Sequence, residues 1–225
     1  MSSPPRIPES LRREIEKDLR PVRPLPPPLL RTLAVAVWAA VLLLVVPVVF
    51  GVRPDAPVLG PFMTWGAALV EAAGGLVLVW LALREAVPGG GIATGEVVLL
   101  LVTAVAVEAG VALLTAARSA SMVQGSALAH GVECFSIESS LGLPALALTV
   151  WLTVRAFPVR PARAGLLGGA GAGLLANGVQ HLICGIASLD HVMVWHLGAS
   201  VFLALIGWLG GLLWETIGAR TSRSR

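Results

Sequence analysis

Charge is what this 225-residue sequence has least of. Asp, Glu, Lys and Arg make up 13% of it, about half of what a soluble domain carries. Lysine occurs once and cysteine twice. So few charges exclude a disordered chain, which stays unfolded because it is polar and charged. Two cysteines are too few for a secreted disulfide scaffold. No polar stretch is long enough to house a soluble domain of about 50 residues or more between the apolar ones. What the sequence has instead is hydrocarbon: 56% of residues are hydrophobic and the mean hydropathy is +0.84.

Six apolar segments, Leu33–Phe50, Phe62–Leu83, Glu96–Ala116, Leu141–Phe157, Ala164–Ala187 and Met193–Ile217, each come near the roughly 20 residues that cross a bilayer as a helix. None shows the alternation of a barrel strand. The expectation is an all-α integral membrane protein with a six-helix bundle over residues 33–217. It would follow a cytoplasmic tail at 1–32 and precede a short basic tail at 218–225. The polar, Pro-rich start lacks the apolar core of a cleavable signal peptide, so the first span is expected to stay. Of the 16 Lys and Arg, 14 fall on the side of the N-terminal tail and only Arg53 and Arg118 on the other. Basic loops stay in the cytoplasm, which places both termini inside, in a bacterial inner membrane.

Within the tail, Ser10 can cap a short helix over Leu11–Arg20. Leu11, Ile15 and Leu19 recur at i, i+4 and i+8, an apolar line on a charged rod. About ten residues do not hold a helix alone in water. Anionic headgroups or a groove on a cytoplasmic partner would stabilise it. Pro21-Val22-Arg23-Pro24-Leu25-Pro26-Pro27-Pro28 then forms a stiff polyproline spacer.

Gly171-Ala172-Gly173-Leu174-Leu175-Ala176 satisfies the dinucleotide fingerprint in form, but it lies inside an apolar span, without the strand that motif needs. Gly165, Gly169 and Gly173 recur every four residues instead, a face for close helix packing. Glu71 and Glu108 fall near mid-membrane with no embedded Lys or Arg to pair with. They serve either as neutral, hydrogen-bonded carboxyls or in proton or ion handling.

Both cysteines and all four histidines gather toward the outer side. His130 and Cys134 are spaced i, i+4, and His181 and Cys184 i, i+3, so each pair shares a face if helical. Together they offer a Cys₂His₂ set for zinc or another thiophilic metal, with Asp190, His191 and His196 as substitutes or supports. A Cys134–Cys184 disulfide, suited to an oxidising compartment, and unpaired cysteines are the alternatives.

From the tail to Ile217 the chain resembles the NrsF-like membrane anti-sigma factors. The resemblance rests on Leu19-Arg20-Pro21-Val22-Arg23-Pro24-Leu25 with Pro26-Pro27-Pro28, on six spans, on Cys134 ahead of Leu143-Pro144-Ala145, and on the His/Cys element closing span five. The related CarR-like anti-sigma factors of light-induced carotenoid synthesis match in length and layout. The resemblance implies a non-enzymatic negative regulator of transcription. Its tail, centred on Leu11, Ile15 and Leu19, would hold a cytoplasmic extracytoplasmic-function (ECF) sigma factor without itself touching nucleic acid. Release would follow an envelope, oxidative, metal or light-derived signal at Cys134, Cys184, His130 and His181, completed by a membrane protease if one takes part. The rival readings are a b-type haem electron-transfer protein using His181 and His196 and a small transporter built on Glu71 and Glu108.

Overall fold

The computed structural model describes residues 8–18, 24–119 and 127–223, with the backbone alone at 18, 127–129 and 218–223. Among them every regular element is helical: α1 (Glu9–Asp18), α2 (Pro28–Phe50), α3 (Ala56–Pro61), a π turn (Phe62–Gly66), α4 (Ala67–Glu85), α5 (Thr94–Arg118), α6 (Ala127–Val154), α7 (Pro161–His181), α8 (Leu189–His191), a second π turn (Val192–His196) and α9 (Leu197–Arg223).

Helix α1 begins at Glu9, so Ser10 lies inside it rather than capping it, and the first turn closes through Arg12 N–H onto the Pro8 carbonyl at 3.1 Å. Glu9 in the first turn and Lys17 in the last suit the helix dipole. Leu11 and Ile15 are 50% and 49% exposed. Leu19, their expected companion, lies outside the described residues. Residues 24–27 are non-helical, and α2 starts on Pro28, where a missing N–H costs nothing.

Among the described residues, five helical stretches are long and apolar enough to cross a membrane: Pro28–Phe50, Ala56–Glu85, Thr94–Arg118, His130–Val154 and Leu189–Ile217. Their outward Val, Leu and Phe side chains are exposed on the isolated chain, as lipid-facing residues are. Helix α7 differs. Nearly all of it is buried, and Gly, Ala, Asn177 and Gln180 stand where the others carry Val and Leu. It is the central post on which α4, α6 and α9 pack. Gly165, Gly169 and Gly173 face α9: a Cβ on Gly173 would come within 2.6 Å of Ser200 Cα, and one on Gly165 or Gly169 would overlap the carbonyls of Gly207 or Leu203. Gly171 meets α4 the same way, 2.7 Å from the Gly75 carbonyl. Residues 171–176 thus lie in mid-helix as packing surface, with no strand before them.

Of the boundaries that move from the sequence expectation, two bear on the site. The fourth apolar segment was expected to begin at Leu141, but α6 begins at Ala127. The fifth was expected to reach Ala187, but α7 stops at His181. Hydropathy finds where a helix is apolar, not where it ends. The polar first half of α6 is helical because it packs against α7, α9 and the second π turn.

Buried ion clamps close the two ends of the bundle. At the tail end, Arg31 is buried and donates to the carbonyls of Leu152 and Leu83 at 3.1 and 3.2 Å. It fastens the start of α2 to the ends of α6 and α4. Glu85 gathers Arg160 at 3.3 Å, Arg163 at 3.4 Å and the Ile92 N–H at 2.8 Å.

At the opposite end, Arg53 and Asp55 pair through 2.6 and 2.9 Å bonds, with both side chains buried. Ser119 Oγ donates to Asp55, and Arg53 reaches the carbonyls of His181 and Leu182. Burial alone would raise the Asp55 pKa, but hydrogen bonds from Arg53 and Ser119 and the guanidinium charge outweigh it and hold it below the ordinary value. A depressed carboxyl stabilises the fold above its unfolded pKa, about 3.9, and loses that contribution only as pH falls through the lower folded value. Asp55→Asn, which leaves Arg53 buried without a counter-charge, is expected to cost about 3–5 kcal/mol at neutral pH. Unfolding midpoints of wild type and variant in detergent should differ clearly at pH 7 and converge only at strongly acidic pH.

Candidate functional site

Where α6, α7 and α9 meet at the Arg53 end, four side chains of types that can ligate a metal converge. Cys134 projects from α6, Cys184 from the turn just past α7, and His191 and His196 from either end of the second π turn. One ligand atom from each lies within 4.8 Å of the others. The sulfurs are 3.8 Å apart, and Cys184 Sγ is 3.7 Å from His191 Nε2.

The histidines are five residues apart, which on an α-helix puts them about 140° around the axis. The π turn closes i→i+5 bonds and brings the two rings to 5.4 Å, edge to face. Asn177 on α7 gives its Nδ2 to Glu71 Oε1 at 3.0 Å, so its Oδ1 is left to accept from His196 Nδ1, also at 3.0 Å. That fixes the tautomer. The proton sits on Nδ1, which leaves the lone pair on the buried Nε2. Metal-ligating histidines are oriented in this manner by a hydrogen bond on the other nitrogen.

The residue types suit a thiophilic metal. A tetrahedral zinc with bonds of about 2.3 Å to sulfur and 2.0–2.1 Å to nitrogen sets one sulfur about 3.8 Å from another and about 3.6 Å from a nitrogen, close to the 3.8 and 3.7 Å found here. An open cavity of about 340 Å³ lined by His130, Glu133, Cys134, Gln180 and Cys184 leads to the sulfurs from outside the bundle.

Behind His196 lies a buried carboxyl cluster. Glu138 Oε2 is 3.2 Å from His196 Nδ1, and Glu138 Oε1 is 3.4 Å from Ser200 Oγ, itself 3.4 Å from Glu108 Oε1. Glu71 joins through Asn177. A second, small cavity of about 20 Å³ touches Glu71, Glu108, Asn177, His181, Cys184 and His196.

Of the residues singled out from sequence, Cys134 and Cys184 come together, and Glu71 and Glu108 are buried and tied into the network behind them. The expected histidine partners do not join them. His130 is exposed at the mouth of the open cavity. His181 turns away to the Met63 carbonyl of the first π turn at 2.9 Å, because α7 ends there and Cys184 no longer shares its face. A haem would need ring nitrogens of His181 and His196, one already spent on Met63 and the other set among thiols. His191 and His196, which the sequence offers as substitutes or supports, stand beside the sulfurs in place of His130 and His181. Glu138, Asn177 and Ser200 escaped the sequence reading. Glu138 had a signal, lying i+4 from Cys134, once the helix is allowed to start before Leu141.

No curated protein and no solved structure matches the chain significantly. A family model described as negative regulator of sigma F matches residues 16–214, taking in the end of α1, the spacer, the long helices as far as Trp214 in α9, and all four side chains of the cysteine–histidine cluster. The chain belongs to the NrsF family of negative regulators of a sigma factor.

Proposed function

We propose that this protein is a six-span anti-sigma factor of the bacterial inner membrane, with both termini in the cytoplasm and α7 as the sixth, central span. Its tail holds an ECF sigma factor through the apolar line of α1, and a thiophilic metal ion or an oxidant at the cysteine–histidine centre loosens that hold. The carrying observation is that the four side chains come from three separate segments, α6, the turn after α7, and α8 with the second π turn that leads into α9. Whatever binds them draws those segments together. The far end of α6 meets Arg31 through the Leu152 carbonyl, immediately after the spacer, so a shift of α6 is felt where the tail joins the bundle.

Energetics favour the metal. Reversing a 99:1 equilibrium takes about 5.5 kcal/mol. Zinc, bound with about 10–16 kcal/mol in structural sites, suffices if the released form binds it about 5.5 kcal/mol more tightly than the resting form, whereas one disulfide gives about 2–4 and would need help, such as proteolysis of the loosened tail.

The tail provides the test of function. Leu11→Asp with Ile15→Asp places two charges in the apolar contact, at a cost of several kcal/mol if that contact is desolvated. Transcription from sigma-dependent promoters should become constitutive while the protein still accumulates in the membrane. Unchanged repression would overturn the assignment of α1 as the sigma-binding element and leave it a headgroup-bound helix.

A further inference from the structure

A groove of about 380 Å³ opens between α2 and α4 on the outside of the bundle. Leu29, Leu33 and Ala36 line it from α2, and Leu76, Val77 and Trp80 from α4. The one hydroxyl among its lining residues, that of Thr32, donates to the Pro28 carbonyl at 2.9 Å. The walls are therefore hydrocarbon, and Leu29, Leu33 and Val77 are 64%, 53% and 48% exposed.

The tail end of this groove is cationic. Leu76, Trp80 and Arg84 recur every four residues, so Arg84 stands on the groove's face of α4, one turn beyond Trp80. Its guanidinium lies over the Trp80 ring, 5.9 Å from the centroid. Arg84 is exposed, and among the described residues no carboxylate pairs with it; adjacent Glu85 is held by Arg160 and Arg163. The bond from Arg31 to the Leu83 carbonyl sets the first turn of α2 level with Arg84. That turn adds positive charge of its own. Pro26-Pro27-Pro28 offers no side chain to cap it, and no acid follows in the first turn. The N–H groups of Leu29 and Leu30 thus lack a partner within the helix and carry the positive end of its dipole.

A hydrocarbon slot with a cation at one end matches an amphiphile with an anionic head. A second helix fits it poorly. Helices approach closely in lipid through small residues, and of the six apolar side chains here only Ala36 is small. A second copy docked on this face about a two-fold axis would bring its own Arg84 against this one. A neutral lipid would cover the walls but leave the guanidinium, which cannot shed its charge, without a counter-ion.

We propose that the α2–α4 groove binds one anionic phospholipid, an acyl chain lying along Leu33, Leu76 and Val77 and the phosphate meeting Arg84 beside the start of α2. Arginine suits a phosphate because its planar fork engages two oxygens at once. The lipid would sit where the polyproline spacer enters the bundle. The inference needs only that α2 and α4 lie in a membrane and stands independently of the sigma-factor reading.

The test uses the full-length protein in phosphatidylcholine nanodiscs, with phosphatidylglycerol carrying a photoreactive diazirine on one acyl chain as the probe. Adducts are mapped by mass spectrometry. Saturable labelling at 29–36 and 76–80 is expected, whereas the same diazirine on phosphatidylcholine should label these positions no more than other lipid-facing stretches. Arg84→Gln should weaken phosphatidylglycerol labelling about fivefold, the ratio that one basic side chain near an anionic headgroup supplies. Arg84→Lys, which keeps the charge, should retain most of it. Val77→Trp fills the groove from its rim and should abolish labelling there, with an unchanged unfolding midpoint showing that the bundle is intact. Equal labelling by the two headgroups, or undiminished labelling of Arg84→Gln, would overturn the proposal and reduce the occupant to ordinary boundary lipid. Recovery of the protein as a dimer that shields 76–80 from both probes would overturn it in favour of a second copy.

Discussion

Cys184→Ser is expected to lower the affinity of the purified protein for zinc by well over 100-fold, and His196→Ala by a similar factor. Loss of a partner that merely orients a ligand already costs about 10–100-fold, and these changes remove ligand atoms themselves. Asn177→Leu should fall within that lower range, since Asn177 only holds the His196 tautomer through its 3.0 Å bond. His130→Ala should leave affinity nearly unchanged, because His130 stands at the cavity mouth and not among the four converging side chains. Competition with a chromophoric chelator would rank the four variants. The same titration should weaken as pH is lowered, because cysteine binds metal as thiolate and each thiol gives up its proton on binding. Equal losses from His130→Ala and His196→Ala would restore the ligand set read from helical spacing and refute the one read from the fold.

The second large effect is expected from Gly169→Leu. A Cβ at this position lies 2.7 Å from Ala204 Cα and closer still to the Leu203 carbonyl. Both obstacles are backbone and cannot swing aside. A first methyl costs about 1–3 kcal/mol as overpacking, and the three further carbons of leucine force α7 and α9 apart. The protein should fail to accumulate in membranes, and any that does should bind zinc poorly, because α9 takes the preceding π turn, and with it His196, away from Asn177. Gly110→Ala provides the contrast. Its Cβ would meet nothing within 4 Å, and removing a mid-helix glycine recovers roughly 0.5–1 kcal/mol. Unfolding midpoints in detergent should therefore move in opposite directions for the two substitutions.

What the sequence disclosed and what it hid follow from the range of the forces involved. Long apolar runs are a property of a segment, so the helical character and five of the membrane-length helices were legible. The glycine repeat at 165, 169 and 173 was legible too, since residues four apart share a helix face wherever the helix lies. The ligand set was not, because it depends on helix ends. Spacing joined His181 to Cys184 only on the premise that α7 runs past both, and it stops between them. His191 and His196, five residues apart, look like opposite faces until a π turn brings them together, and nothing local announces that turn. Glu138 was hidden because a carboxylate at the head of an apolar run reads as loop until a partner such as His196 appears from another helix.

The most direct test joins the two ends of the molecule. Membranes containing the wild-type protein, or the Cys134→Ser, Cys184→Ser double variant, are loaded with the sigma factor that co-purifies with the wild type. They are washed with and without micromolar zinc, and the sigma factor retained is quantified. Zinc should release most of the sigma factor from wild-type membranes, and the double variant should retain it under both conditions. Release by zinc from the double variant to the same extent as from wild type would refute a sensing role and leave the cysteine–histidine centre a structural feature of the bundle.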